Sequence, residues 1–369
     1  MTTMVASPPS PPAAPEQRLL GLELLRFLCA FAVLVWHYQH FGFEGGHPLL
    51  ARSEQPFYGW LRPLYEHGYL GVQVFWCISG FIFFWKYGRS IAERRVSGGR
   101  FFVLRFSRLY PLHLTTLGLV LLLQPLYLAV HGQYFVYQHN DAVHLLRQLL
   151  LASNWIAGPE DESFNGPVWS ISVEVLVYAI FFVLLRWWGP SLRGAALITL
   201  LCLGGVLAHV AWPVVACAGL FYAGGLAALV LTQRPARERH GVGLAAASLA
   251  VLLAVRQFAP AQTATVLLVI GLPLLLGALA VSVRQVPERL AVAIETAGNL
   301  TYASYLLHFP LQLLVVLLCG ALRWPVPVHS GLFFVGFIAA VFALSAWVYR
   351  RFEMPMQALI RRLALPPPR

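Results

Sequence analysis

Arg26 and His37 stand eleven residues apart, separated by the apolar run Phe27–Trp36. On a helix, at 100° per residue, that is about three turns, so both side chains share a face, roughly 16 Å apart along the axis. A guanidinium binds phosphate through planar, fixed donors. A neutral imidazole is the usual general base near pH 7. A phosphate held at Arg26 would leave a pantetheine-like arm about the right reach to bring a thioester to His37. Plain structural readings stand beside this one: an interfacial histidine flanked by Trp36 and Tyr38, and an intrahelical Glu23–Arg26 pair at i, i+3.

Three further segments place polar groups in apolar surroundings, where each is costly and therefore a candidate for function. Arg105 and Arg108, at i, i+3, open an apolar stretch with a forked cationic face, and His113 follows about one turn deeper. Positive-inside anchoring would explain the arginines equally. In Asn165-Gly-Pro-Val-Trp-Ser-Ile-Ser-Val-Glu174, Pro167 suits a first helical turn, and Ser170, Glu174 and Tyr178 then line one face. Glu174 is a candidate catalytic carboxylate; its structural alternative is a buried ion pair. In Gly298-Asn-Leu-Thr-Tyr-Ala-Ser-Tyr305-Leu-Leu-His308-Phe-Pro310, hydroxyls and His308 line another apolar stretch that Pro310 is expected to bend. Arg350-Arg351-Phe-Glu353-Met-Pro355 reads as a charged helix-end anchor.

The elements that must carry these residues are membrane helices. The 369 residues are 59% hydrophobic and 11% charged, against roughly 25% charged in soluble domains. Apolar stretches near 21–38, 68–86, 109–130, 167–187, 194–210, 212–231, 242–257, 263–283, 300–321 and 330–349 approach the ~20 residues of a helical span. They lack the alternation of barrel strands. The expected fold is an all-α polytopic membrane protein of about ten transmembrane helices with both termini cytosolic. That topology puts 21 of the 26 basic residues on the cytosolic side and leaves Arg52, Arg62, Arg147, Arg256 and Arg323 outside.

The net charge of +11 then reflects topology and a phospholipid bilayer, and nucleic acid is not an expected partner. Cys29, Cys77, Cys202, Cys217 and Cys319 all fall in apolar stretches, so neither a disulfide framework nor a metal site is expected. The expected domains are a Pro/Ala-rich disordered tail at 1–17, one membrane domain at 18–355, and a basic cytosolic tail at 356–369. The longest connections, 39–66 and 131–166, face outward, and the second holds an amphipathic stretch from His144 to Trp155.

Together these segments resemble acyltransferase family 3, bacterial inner-membrane acyltransferases that include O-antigen and exopolysaccharide acetylases. The resemblance rests on Arg26-x10-His37, on Gly71-Val-Gln-Val-Phe-Trp-Cys-Ile-Ser79-Gly80-Phe, on Arg105-x-x-Arg108 with Tyr110-Pro111, on the block ending at Glu174, on the block ending at Pro310, and on Phe352-Glu353-x-Pro355. It implies a ten-helix core, an acyl-CoA donor (usually acetyl-CoA), a multi-pass inner-membrane location and a glycan or glycolipid acceptor. It also implies His37 as the catalytic residue, with Arg26, Arg105 and Arg108 holding the donor. Glu174 and His308 are expected to assist catalysis, and Ser170, Tyr178 and Tyr305 to contact substrate. Glu23 departs from the family, where Asp is frequent, and no room is expected for an appended esterase-like domain. A transporter or flippase of a lipid-linked or acylated saccharide is the competing function. The arrangement of the membrane-bound O-acyltransferase class is not found.

Overall fold

A computed structural model describes residues 18–156, 161–233, 238–258, 263–282 and 286–366. The tail expected at 1–17, and Arg234, Arg237, Arg284 and Arg369 of the charge count, lie outside the described residues.

Helix α1 (Leu20–His37) carries Arg26 and His37. A short hairpin, β1 (Phe43–Glu44) against β2 (His47–Pro48), follows it. The turn residues Gly45 and Gly46 both have positive φ, as a tight two-residue turn requires. Helices α2 (Tyr58–His67), α3 (Leu70–Ala92) and α4 (Gly98–His131) come next, then the short α5 (Ala142–Leu149). The second half is α6 (Trp169–Trp188), α7 (Leu192–Leu207), α8 (Pro213–Gln233), α9 (Glu238–Phe258), α10 (Thr263–Val266), α11 (Leu272–Ser282) and α12 (Glu288–Asn299). Helices α13 (Thr301–Ala321), α14 (Gly331–Val348) and α15 (Met354–Ala364) close the described chain.

Among the described residues, seven stretches are long and apolar enough to cross a membrane: Leu20–Gly42, Leu70–Ala92, Gly98–His131, Gly166–Trp188, Pro213–Gln233, Thr301–Ala321 and Gly331–Ala364. The other three expected spans coincide with shorter apolar helices, Leu192–Leu207, Gly241–Val255 and Leu267–Val281. At 16 residues, α7 is roughly 24 Å long, short of a hydrocarbon core of about 30 Å.

Two expected boundaries move. The third span, expected from 109, is the later part of a 34-residue helix that starts at Gly98. Apolarity marks only the part of a helix that lipid surrounds, while backbone hydrogen bonding carries it on, with Ser97 capping the amide of Arg100 at 3.2 Å. Arg100, Arg105 and Arg108 therefore sit on a rigid helix, not in a loop. At the other end, residues expected to begin a basic tail at 356 are helical in α15, which packs on α4. Arg361 there donates to Ser107 Oγ at 3.0 Å.

Helices α3 and α8 pack most closely. A Cβ on Gly80 would lie 1.8 Å from the Phe221 carbonyl oxygen, and one on Gly224 would lie 1.9 Å from that of Cys77. Small residues at such crossings let membrane helices associate through backbone contact. Gly80→Leu is expected to lower the melting temperature sharply or abolish the folded fraction in detergent. Gly99→Leu is the control, because a Cβ there meets nothing within 4 Å.

Pro310 does not interrupt α13, which runs from Thr301 to Ala321. Its missing N–H leaves the Leu306 carbonyl without a helical partner, and the Asn165 side-chain amide donates to that oxygen at 3.1 Å. The Asn-Gly-Pro block thus serves the Pro310 block on a distant helix.

Between α4 and α6, four of the described residues combine a strained backbone with burial. Val136, Leu151, Asn154 and Phe164 all have φ between 48° and 61°, and all are buried. Such strain persists where surrounding structure enforces it and is frequent at functional sites. Asp141 caps α5, accepting from the amides of Val143 and His144 at 2.8 and 3.0 Å. His144 Nδ1 meets Asp141 at 2.6 Å and its Nε2 meets Asp161 at 2.9 Å. Arg147 completes the cluster at 2.9 Å from Asp161.

Burial opposes protonation of His144, but the two carboxylates outweigh it and raise its pKa above the ordinary 6.5. The imidazolium can donate to both carboxylates; the neutral ring can donate to only one. The clasp is therefore fully present below about pH 6.5 and is lost as pH rises through the folded value. Amide exchange in 141–156 is expected to accelerate from pH 6 to 9 beyond its intrinsic rate, and His144→Gln is expected to remove that excess.

Candidate active site

Site residues come from α1, α3, α4, α6 and α13. Glu23, one turn before Arg26, accepts from the Arg26 guanidinium at 2.8 Å. Thr301 Oγ1 accepts a second Arg26 bond at 3.2 Å. Gly298 makes room for this arrangement, since a Cβ there would lie 2.1 Å from Glu23 Oε2. Arg105 donates to the Tyr87 hydroxyl at 2.9 Å and lies over the Phe83 ring, 4.9 Å from its centroid. Tyr302 pins α13 to α4 by donating to the Leu109 carbonyl at 2.6 Å, next to Arg108.

These arginines line one cavity of about 900 Å³. Lys86, Arg95, Arg100 and Arg361 line it too, against two carboxylates, Glu23 and Glu174. Ser170, Tyr178 and Tyr305 also face it. Cations that outnumber carboxylates in one cleft focus a positive field on whatever anion enters. Glu174 neighbours Ser79 and Tyr178 and feels the charges of Arg26 and Arg105, and its Oε1 lacks a hydrogen-bond partner among the described residues.

A second cavity, of about 740 Å³, holds His37. His40, which the sequence reading passed over, is beside it with ring centroids 4.8 Å apart. His308 packs on the other side at 4.7 Å. Gln312, one turn beyond His308, ties the group together. Its Nε2 donates to the His37 carbonyl at 2.9 Å, one of the oxygens a helix C-terminus leaves open. Its Oε1 then faces His40 Nδ1 at 3.2 Å, so Nδ1 carries the hydrogen and His40 Nε2 is left as a proton acceptor.

The two cavities meet at Tyr305 and Val72, which line both. The Tyr305 hydroxyl donates to the Pro167 carbonyl at 2.7 Å and lies 2.8 Å from Ser170 Oγ. Ser170 Oγ also lies 3.3 Å from the Pro167 carbonyl, the longer of the two bonds to that oxygen, so the Ser170 hydrogen is the one freer to turn toward a ligand.

The structure thus gathers Arg26, Arg105, Arg108, Glu174, Ser170, Tyr178 and Tyr305 around one cavity and places His37 in the other. His308 is fully buried and lines neither cavity, with its ring against that of His37. Trp169 packs on Trp76 edge to face at 5.7 Å, holding α6 on α3. His113 is a packed group, bonded through Nε2 to the Gln148 carbonyl at 2.8 Å.

A family model described as an acyltransferase domain matches residues 19–350. The chain belongs to acyltransferase family 3. Its similar relatives include "Protein 2 in picA locus" of Rhizobium radiobacter, 28% identical over 133 residues, covering 31% of this chain and 64% of that protein. "Acyltransferase MdmB" of Streptomyces mycarofaciens is 28% identical over 165 residues, covering 44% of this chain and 38% of that one. The chain spans less than two thirds of the length of these curated relatives. No solved structure matches it. The family model takes in both cavities except for Met354, Gln357 and Arg361, which lie beyond residue 350.

Besides His40, the residues Gln312, Gly45, Gly46 and Arg361 matter to this geometry and escaped the sequence reading. Gln312 extends the polar face Tyr305-x-x-His308 by one more turn, so helical periodicity offered it. The Gly45-Gly46 pair offered the hairpin that borders the His37 cavity. Arg361 had no local signal, because only the packing of α15 on α4 brings it in. Glu353, read as a helix-end anchor, is buried, and neither carboxylate oxygen has a hydrogen-bond partner among the described residues.

Proposed function

We propose that this chain transfers an acyl group, acetyl in the simplest case, from acyl-CoA to a hydroxyl of an envelope or exported glycan. The observation that carries this reading is the meeting, at Tyr305, of a cation-lined cavity and an imidazole-lined one. Acyl-CoA is an anionic nucleotide at one end and a thioester at the end of a long neutral arm. Its phosphates would lie against Arg26, Arg105 and Arg108, with the arm directed past Tyr305 toward His37.

His37 takes the proton from the acceptor hydroxyl as its oxygen attacks the thioester carbonyl. The new ester C–O bond forms, the C–S bond breaks, and the thiolate of CoA receives the proton from His37. The hydrogen of Ser170 offers a donor to the transient oxyanion. Glu174 keeps the inner arginines from a surplus of charge when no donor is bound. His308 holds the His37 ring in place.

In this reading ten spans cross a bacterial inner membrane, with both termini and the arginine cavity on the cytosolic side and His37 toward the outside. The uneven division of Lys and Arg supports that orientation. The test is direct. Acetyl-CoA is expected to raise the melting temperature of the purified protein; acetyl-dephospho-CoA, without the 3'-phosphate, is expected to raise it less, and S-acetylpantetheine, without any phosphate, least. No shift at millimolar acetyl-CoA contradicts the reading and favours a transporter of saccharides.

A further inference from the structure

The His37 cavity contains polar atoms that the protein does not satisfy. Trp36 Nε1 and Gln73 Oε1 are buried with no hydrogen-bond partner among the described residues, and both residues line this cavity. Buried polar atoms are nearly always paired, and an orphan costs about as much as a lost hydrogen bond. Trp36 Nε1 can only donate, and Gln73 Oε1 can only accept. A hydroxyl does both, so a ligand bearing several hydroxyls would satisfy both atoms at once. Trp36, Tyr69, Tyr137 and Trp169 add aromatic faces to the same wall, and the volume of about 740 Å³ is within the usual range of small-molecule sites.

Charge sharpens the choice. Among the described residues, no Lys or Arg lines this cavity, whereas seven line its neighbour. The nearby Arg52 stacks on the Trp36 ring, 5.8 Å from its centroid, and donates to the Tyr65 carbonyl, but it is not part of the lining. The one carboxylate in the wall is Glu162. A carboxylate or phosphate entering here would lose its hydration and find no Lys or Arg in the lining to replace it.

We infer that the acceptor moiety is an uncharged, polyhydroxylated ring, oriented by Trp36 and Gln73, and that acidic sugars are excluded. This rests on the acyl-transfer reading and adds the chemical class of its second substrate. The two cavities then sort their ligands by charge: an anionic donor on one side of Tyr305 and a neutral acceptor on the other.

The test uses the full chain in proteoliposomes with acetyl-CoA and matched acceptor pairs at pH 8, where ordinary histidines are neutral. The pairs are methyl glucoside with methyl glucuronide and methyl galactoside with methyl galacturonide. The neutral member of a pair is expected to have at least about tenfold higher kcat/KM. Gln73→Leu and Trp36→Phe are each expected to raise the acceptor KM about tenfold while the acetyl-CoA KM holds. Gln73→Glu, which keeps an accepting oxygen, is expected to restore use of the neutral sugar. Equal use of the uronates overturns the inference, as does an unchanged acceptor KM in the folded Gln73→Leu and Trp36→Phe proteins. Transfer to none of the sugars by protein that acetyl-CoA still stabilises overturns it too. Failure of acetyl-CoA to bind at all would instead remove the acyl-transfer reading beneath it.

Discussion

Replacing His37 by alanine is expected to lower acyl transfer by about 10²–10⁴-fold, the usual contribution of a positioned general base. The effect should fall on kcat, with the melting temperature and the acetyl-CoA affinity little changed. His37 is only 7% exposed, yet it lines a cavity, so its removal enlarges existing space more than it unravels packing. His37→Gln is the sharper variant, because it keeps volume and polarity while removing basicity. His40→Gln is a useful comparison: its ring contacts His37, and its tautomer is set by Gln312. Label transferred from acetyl-CoA to glycan, normalised to folded protein, checks the result. A His37→Gln enzyme of normal rate contradicts the assignment of His37 as base.

The Arg105→Ala/Arg108→Ala double variant is the second large effect. Each lost charge-assisted hydrogen bond is worth about 1.5–3 kcal/mol, so the pair is expected to weaken donor binding by about 10²–10⁴-fold. The loss should appear in the acetyl-CoA KM and in the thermal shift, not in acceptor KM. Lysine at either position keeps the charge but loses the planar fork, so Arg105→Lys is expected to recover only part of the affinity. It also loses the stacking on Phe83 and the bond to the Tyr87 hydroxyl. Unchanged donor affinity in the double variant would reassign both arginines to anchoring α4.

Much of this was legible before any coordinates, and the reason is membrane physics. A lipid-facing surface excludes charge, so the few ionisable groups within apolar stretches stand out. Arg26, His37, Arg105, Arg108, Glu174 and His308 were all found that way, and they line or adjoin the two cavities. What stayed hidden depends on contacts between distant segments. Gln312 matters because of one carbonyl at the end of α1 and one imidazole in the turn after it. Asn165 matters because Pro310 frees an oxygen on another helix. Arg361 enters the cavity only through α15, a helix too polar to register as a span. Helix ends were misjudged for the same reason: apolarity marks where lipid stops, and α4 continues beyond it.

The two-cavity arrangement makes a claim about sidedness, which proteoliposomes test most directly. A neutral glycoside is sealed inside vesicles, and labelled acetyl-CoA, which does not cross the bilayer, is added outside. Protein molecules with the arginine cavity outward are expected to acetylate the trapped glycoside, and Arg105→Ala/Arg108→Ala or His37→Gln to abolish the signal. Label appearing only when donor and acceptor share one side of the membrane would contradict a path that runs from the arginines, past Tyr305, to His37.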